Sequence, residues 1–262
     1  MFKLFKKKKD VTKIFGNVPM EELLKQKYGV KGSIQVDGKD FEFHDARCFY
    51  DTWQELIVNK MYEFDSSSSA PYILDCGANL GLSVFYFSKL YPNAVIDAFE
   101  PEPPIFEVLK NNVATYQLKN VIIHKKAVWD SETTLKFYTD HGMGGSVTNV
   151  YSKQEPTIIE TLKLADFMQK KVDMLKMDIE GAEFTVLKSC ESLLKNVEHL
   201  FVEYHSFINK EQQLDDLLAL LKRAGFRYHL KESFSMKRPF IERNFACENM
   251  DMAINIFAYR DK

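Results

Sequence analysis

The chain is poor in cysteine, in net charge and in long apolar runs. Its four cysteines, Cys48, Cys76, Cys190 and Cys247, lie far apart and form no C-x-x-C pair. That spacing suggests neither a zinc module nor a disulfide framework, and reduced thiols in a cytoplasm are the expectation. No apolar stretch approaches the roughly 20 residues needed to span a bilayer. A net charge of −2 gives no global reason to expect nucleic acid or a strongly acidic partner. The start, Met1 to Lys9, lacks an apolar core and a cleavage site, so it does not read as a signal peptide. It reads as a solvated basic tail, with weak contact to an anionic membrane surface as the alternative.

What is present is a core. In 262 residues, 45% are apolar, enough for one α/β domain with residues left over. Residues 1–65 form the expected N-terminal extension: a basic tail, a hairpin turning at Asp37-Gly38, and a helical pattern from Tyr50 to Phe64. After the serine run at 66–69, strands and helices alternate: strand 72–76, helix 81–91, strand 94–100, helix 103–115, strand 120–124. Two short strands interrupt the pattern around a glycine-rich loop, Gly142 to Ser146. Strand 173–179, helix 182–194, strand 197–204 and helix 210–223 resume it, and a closing antiparallel pair follows at 226–230 and 253–259. Alternation of this kind predicts a parallel sheet with helices on both faces over residues 66–262. The long segment Lys231 to Asp251 reads as a substrate-facing loop.

The most informative stretch is Ile73 to Gly81, an apolar run ending in Asp75-Cys76-Gly77-Ala78-Asn79-Leu80-Gly81. A second apolar run ends at Glu100. Together they describe a nucleotide-type cofactor across two neighbouring strands, with Glu100 accepting from ribose hydroxyls. Asp75 stands where a dinucleotide fold keeps a phosphate-binding glycine. A carboxylate there repels phosphate and suits a cationic ligand, while Gly77 and Gly81 let that ligand approach the backbone. A ribose, a positive centre and no phosphate describe S-adenosylmethionine. Asn79 reads equally as a ligand contact and as a helix cap.

These residues, with Phe99-Glu100-Pro101 and the block Lys176-Met177-Asp178-Ile179-Glu180-Gly181-Ala182-Glu183, resemble the FkbM-type methyltransferases over roughly residues 45–205. The resemblance implies a class I, Rossmann-like fold with a mostly parallel seven-stranded sheet. It implies an S-adenosylmethionine-dependent enzyme that methylates hydroxyl oxygens of natural products, sugars or glycans. It also places Ser146 near the cofactor, and fold analogy sets Ala127 beside the adenine.

Candidate chemistry clusters at strand ends. Asp178 alternates with Glu180 if its strand runs that far, and Glu203 alternates with His205. A histidine near neutrality is a natural base for a hydroxyl. Asp178, Glu203 and His205 are alternatively a ligand set for one divalent cation, magnesium or manganese rather than zinc. Glu183 reads as a helix-dipole partner. Arg47 and Tyr62 are candidates to close the methionine end of the cofactor. Two rival readings stay open: a nicotinamide-dependent oxidoreductase, and a cofactor-binding protein without turnover.

Overall fold

The computed structural model describes residues 15, 18, 20–139, 145–146, 155–241 and 249–260. It opens with a short helix, α1 (Met20–Leu23), and a hairpin of β1 (Gly32–Val36) and β2 (Lys39–Phe43). Asp37 and Gly38 both take positive φ, 49° and 73°, the geometry of a two-residue hairpin turn that matches strand twist. The next helix begins earlier than the apolar period suggests. Asp45 caps α2 (Ala46–Trp53) by accepting from the amides of Arg47 at 2.8 Å and Cys48 at 3.0 Å. Its last turn widens into a π-helical segment, Gln54–Val58, and Lys60 at φ 55° ends it short of the expected Phe64.

The core sheet uses β3 (Tyr72–Cys76), β4 (Val95–Phe99) and β5 (Val121–His124), separated by α3 (Leu82–Leu90) and α4 (Pro103–Thr115). A side sheet follows: β6 (Ala127–Trp129), β7 (Thr134–Thr139), β8 (Gly145–Ser146) and β9 (Thr157–Lys163). Then come β10 (Val172–Met177), α5 (Glu183–Ser189), β11 (Val197–Phe207), α6 (Leu214–Arg223), β12 (Arg227–Ser235) and β13 (Met250–Tyr259). The main sheet has seven strands in the order β12-β13-β11-β10-β3-β4-β5. All run parallel except β13, which inserts antiparallel between β11 and β12. This is the class I methyltransferase topology, and it makes the sheet order reverse beside β3, where a ligand crevice opens.

Three further boundaries differ from the sequence reading. β10 stops at Met177, because Glu180 (φ 58°) and Gly181 (φ 95°) turn the chain, so Asp178 and Glu180 do not alternate along a strand. The segment read as a loop from Lys231 is partly strand: β12 continues to Ser235 and β13 starts at Met250. The helix expected over 182–194 breaks at Cys190 into α5 and a 3-10 segment, Glu191–Asn196.

Apolar clusters pack on both sheet faces. On one face Phe41, Phe49 and Trp53 of the extension join Phe85, Phe87, Ile73 and Phe201 of the sheet layers. The hairpin is thereby bound to α3 and α4, and Asn112 of α4 receives and returns hydrogen bonds with the backbone of Glu42. No helix of the described residues is long and apolar enough to cross a membrane. The basic run at residues 1–9, Gly142 and Cys247 lie outside the described residues.

Candidate active site

The turn after β3 is built almost entirely from backbone. Gly77 has φ +83°, and a Cβ there would lie 1.8 Å from the carbonyl oxygen of Asp178, so no side chain fits. The amides of Gly77 and Ala78 both donate to the Phe99 carbonyl, at 3.1 and 2.9 Å, which locks the turn to the end of β4. Asn79 takes φ 48°, and its side chain accepts from the amide of Leu80 at 2.7 Å. It is not the helix cap: that position is Gly81, at φ +85°.

Glu100 is buried, and each of its oxygens already accepts one amide, from Asn79 at 3.0 Å and Glu102 at 2.9 Å. Each carboxylate oxygen has a second lone pair to offer two hydroxyls of a ribose. Burial pushes its pKa up to about 7 against the two amide hydrogen bonds and nearby Lys176.

Asp75 does something the sequence reading did not foresee. It is fully buried; Ser83 donates to one oxygen at 2.5 Å, and the Lys176 ammonium lies 3.4 Å from the other. Lys176 projects from β10 on the same face, in register with Asp75. It also lies 3.3 Å from Asp178 and donates to the Gly77 carbonyl at 2.7 Å. Desolvation pulls its pKa down, but the carboxylates of Asp178 and Asp75 more than offset this and hold it charged. The charge of Asp75 is thus answered within the protein, and the pair fastens the glycine turn to β10.

The second part of the site lies across β10 and β11. Asp178 is partly exposed just beyond β10, and Glu203 is partly buried on β11, where Ser233 donates to it at 2.6 Å. His205 is buried. Its Nδ1 is 3.1 Å from Glu183 and its Nε2 is 3.5 Å from Glu180. Desolvation disfavours the imidazolium, yet Glu180, Glu183 and Glu203 hold the His205 pKa well above its ordinary value. Glu180 is itself pushed up to about 8 by burial and by Asp178, Glu183 and Glu203, despite His205. These carboxyl groups favour the protonated form of His205, which weighs against its acting as a free base. Glu183 is likewise more than a dipole partner: 1% exposed, it accepts from the amides of Ile179 and Gly181 and holds the turn after β10.

Asp178, Glu203 and His205 do come together, with one ligand atom of each within 4.8 Å of the others. Their surroundings disfavour a divalent ion. The Lys176 ammonium already stands against Asp178, and both nitrogens of His205 face carboxyl groups, of Glu183 and Glu180. A metal would have to displace both contacts.

Of the remaining candidates, Tyr62 is buried against Phe201, with ring centroids 4.7 Å apart. The carboxylates of Asp178, Glu203 and Asp75 add to burial in raising its pKa, which sets it over the charged cluster. Arg47 instead donates to the Leu24 carbonyl at 2.7 Å and stacks over Tyr28, within the extension. Ala127 pairs with Thr161 in the side sheet, next to a cleft of about 800 Å³ lined by Pro101, Pro103, His124, Lys125, Ile159 and Leu162. The cleft borders the end of β5 and the segment that directly follows Glu100. The backbone of Ser146 pairs with Tyr138.

A family model described as "Methyltransferase FkbM domain" matches residues 75–228. Methyltransferase 1 of Beauveria bassiana is 26% identical over 53% of the chain and 66% of its own length. The 2-O-methyltransferase NoeI of Sinorhizobium fredii is 26% identical over 51% of the chain and 63% of its own. The hexuronic acid methyltransferase AglP of Haloferax volcanii is 23% identical over 75% of the chain and 77% of its own. The chain thus spans roughly two thirds to three quarters of these relatives.

Proposed function

The chain belongs to the FkbM methyltransferase family, and on that footing we propose that it transfers the methyl group of S-adenosylmethionine to a hydroxyl oxygen of a sugar, glycan or secondary metabolite. The observation that carries this reading is the junction of Gly77 and Glu100: a turn with no room for a side chain, locked to a buried carboxylate that keeps lone pairs for a ribose. NoeI is named a 2-O-methyltransferase and AglP a hexuronic acid methyltransferase, which supports a hydroxyl on a sugar-like acceptor.

Methyl transfer from a sulfonium is an in-line displacement. The acceptor oxygen attacks the methyl carbon, the carbon–sulfur bond breaks, and the hydroxyl proton leaves to a base. In this reading Glu100 and the 77–81 turn hold the nucleoside, the cleft along Pro101 to Leu162, with Ala127 next to it, takes the adenine, and Ser146 is a further proposed cofactor contact. Asp178 is the base. It borders the turn directly, its carbonyl against Gly77, and Lys176 fixes its carboxylate from behind. His205 positions Glu180 and Glu183, and Glu203 faces the acceptor. No step is routed through a metal, so turnover is expected to be unchanged by a chelator.

Titration with S-adenosylhomocysteine and with NAD tests the reading. Micromolar binding of the first and none of the second is expected. NAD bound with S-adenosylhomocysteine ignored would overturn it in favour of an oxidoreductase. Once an acceptor is in hand, Asp178→Asn should lower kcat by about 10²- to 10⁴-fold.

A further inference from the structure

One buried polar group is explained by nothing so far. Asn255, 2% exposed on β13, has a side-chain oxygen with no hydrogen-bond partner. The register sets it directly opposite Glu203 on β11, and Lys231 of β12 directly beyond it. Opposed residues share a face, about 5 Å apart at Cβ. The orphaned oxygen thus lies on the face that carries Glu203 and His205, against the cluster beneath Tyr62. An unmet acceptor buried this deeply destabilises the fold, so a donor is missing there among the described residues.

The charges say what kind. Lys176 answers Asp75 and Asp178, and His205 answers Glu183 and Glu180. Among the described residues Glu203 is left with only the Ser233 hydroxyl at hydrogen-bond distance, and the exposed Glu55 is opposed by Lys231. Glu203, Asn255 and Glu55 together offer acceptors and surplus negative charge. Burial and the repulsion of Asp178 raise the Glu203 pKa, and His205, Ser233 and Lys176 offset this only in part, so an added cation would relieve the remaining strain. A neutral sugar would supply donors but no charge, and a uronic acid would add to the repulsion.

We propose that Glu203, Asn255 and Glu55 form an ammonium subsite, so that the acceptor is an amine-bearing polyol, of which amino sugars are the simplest class, methylated on a hydroxyl near its amine. This rests on the methyltransferase reading above. An ammonium's three donors match the orphaned amide oxygen and the carboxylates. A divalent ion instead needs Asp178 and His205, which are already engaged.

The test is calorimetric titration of the full chain, saturated with S-adenosylhomocysteine, with glucosamine, N-acetylglucosamine and glucuronic acid. Glucosamine should bind at least tenfold more tightly than its N-acetyl form, and glucuronic acid least. Glu203→Gln and Asn255→Leu should each cut that preference below threefold while keeping S-adenosylhomocysteine affinity, which shows that the variants fold. Equal binding of the two glucosamine forms, or binding of neither, would overturn the subsite and leave the methyltransferase reading standing. Manganese that displaces glucosamine, and fails to bind Asp178→Asn, would assign the site to a metal instead. Failure to bind S-adenosylhomocysteine at all would overturn the function and the subsite with it.

Discussion

The two halves of the site are built on opposite principles. Around β3 and β4 the turn is largely backbone bonded to backbone, and the buried Glu100 keeps the spare lone pairs proposed to meet the ligand. Across β10, β11 and β13 the lining is side chains, charged, crowded and incompletely answered. Backbone geometry tolerates almost no substitution, whereas a side-chain wall is changed one residue at a time.

Substitutions at the seam between the halves should break the comparison most severely. Gly77→Ala forces a Cβ into the Asp178 carbonyl at a positive φ. A loss of about 5 kcal/mol or failure to accumulate as folded protein is expected, by denaturant unfolding. Lys176→Met comes next, since it strands the Asp75 and Asp178 charges, and should cost about 3–5 kcal/mol. Adding Asp75→Asn should recover part of it; no recovery would show that the lysine acts through packing.

Titration sharpens the comparison with smaller effects. The folded pKa of Glu100, about 7, lies above its usual 4.5. The folded state therefore binds the extra proton between those values, and stability falls as pH rises through that window. Ribose hydroxyls need the ionised acceptor, so S-adenosylhomocysteine affinity should rise through pH 7, and Glu100→Gln should abolish that rise. His205 is raised from 6.5, so its contribution is complete below that value and fades as pH climbs toward its higher folded pKa. His205→Gln should flatten this alkaline loss and leave cofactor affinity within about twofold. A cofactor affinity that followed His205 would mean the two halves are not separate.

How much of this was legible follows the same division. Gly77, Gly81 and Glu100 could be read from the chain because their requirements are local: a turn, a close approach, an acid at a strand end. Strand alternation likewise gave the parallel sheet, since its period is written into neighbouring residues. The charge state of His205 was not legible, because Glu183 is 22 positions away in sequence. Lys176 and Asn255 were missed although a signal existed. Each is a polar residue interrupting an apolar strand, Val172-Asp173-Met174-Leu175-Lys176-Met177 and Ala253-Ile254-Asn255-Ile256-Phe257. A polar residue in such a run is exposed at an edge or buried with a purpose, and here both are at most 3% exposed.

The antiparallel insertion of β13 has a consequence for the order of assembly. Among the described residues β12 hydrogen-bonds only to β13 within the main sheet, so it cannot dock until a later-synthesised segment has slipped between it and β11. On the ribosome, the donor turn and its β4 lock can form while the remainder of the chain is still being made. The wall that holds Asn255 is made after that turn, so the residues proposed to hold the methyl donor precede in the chain Glu203 and Asn255, which are proposed to meet its acceptor.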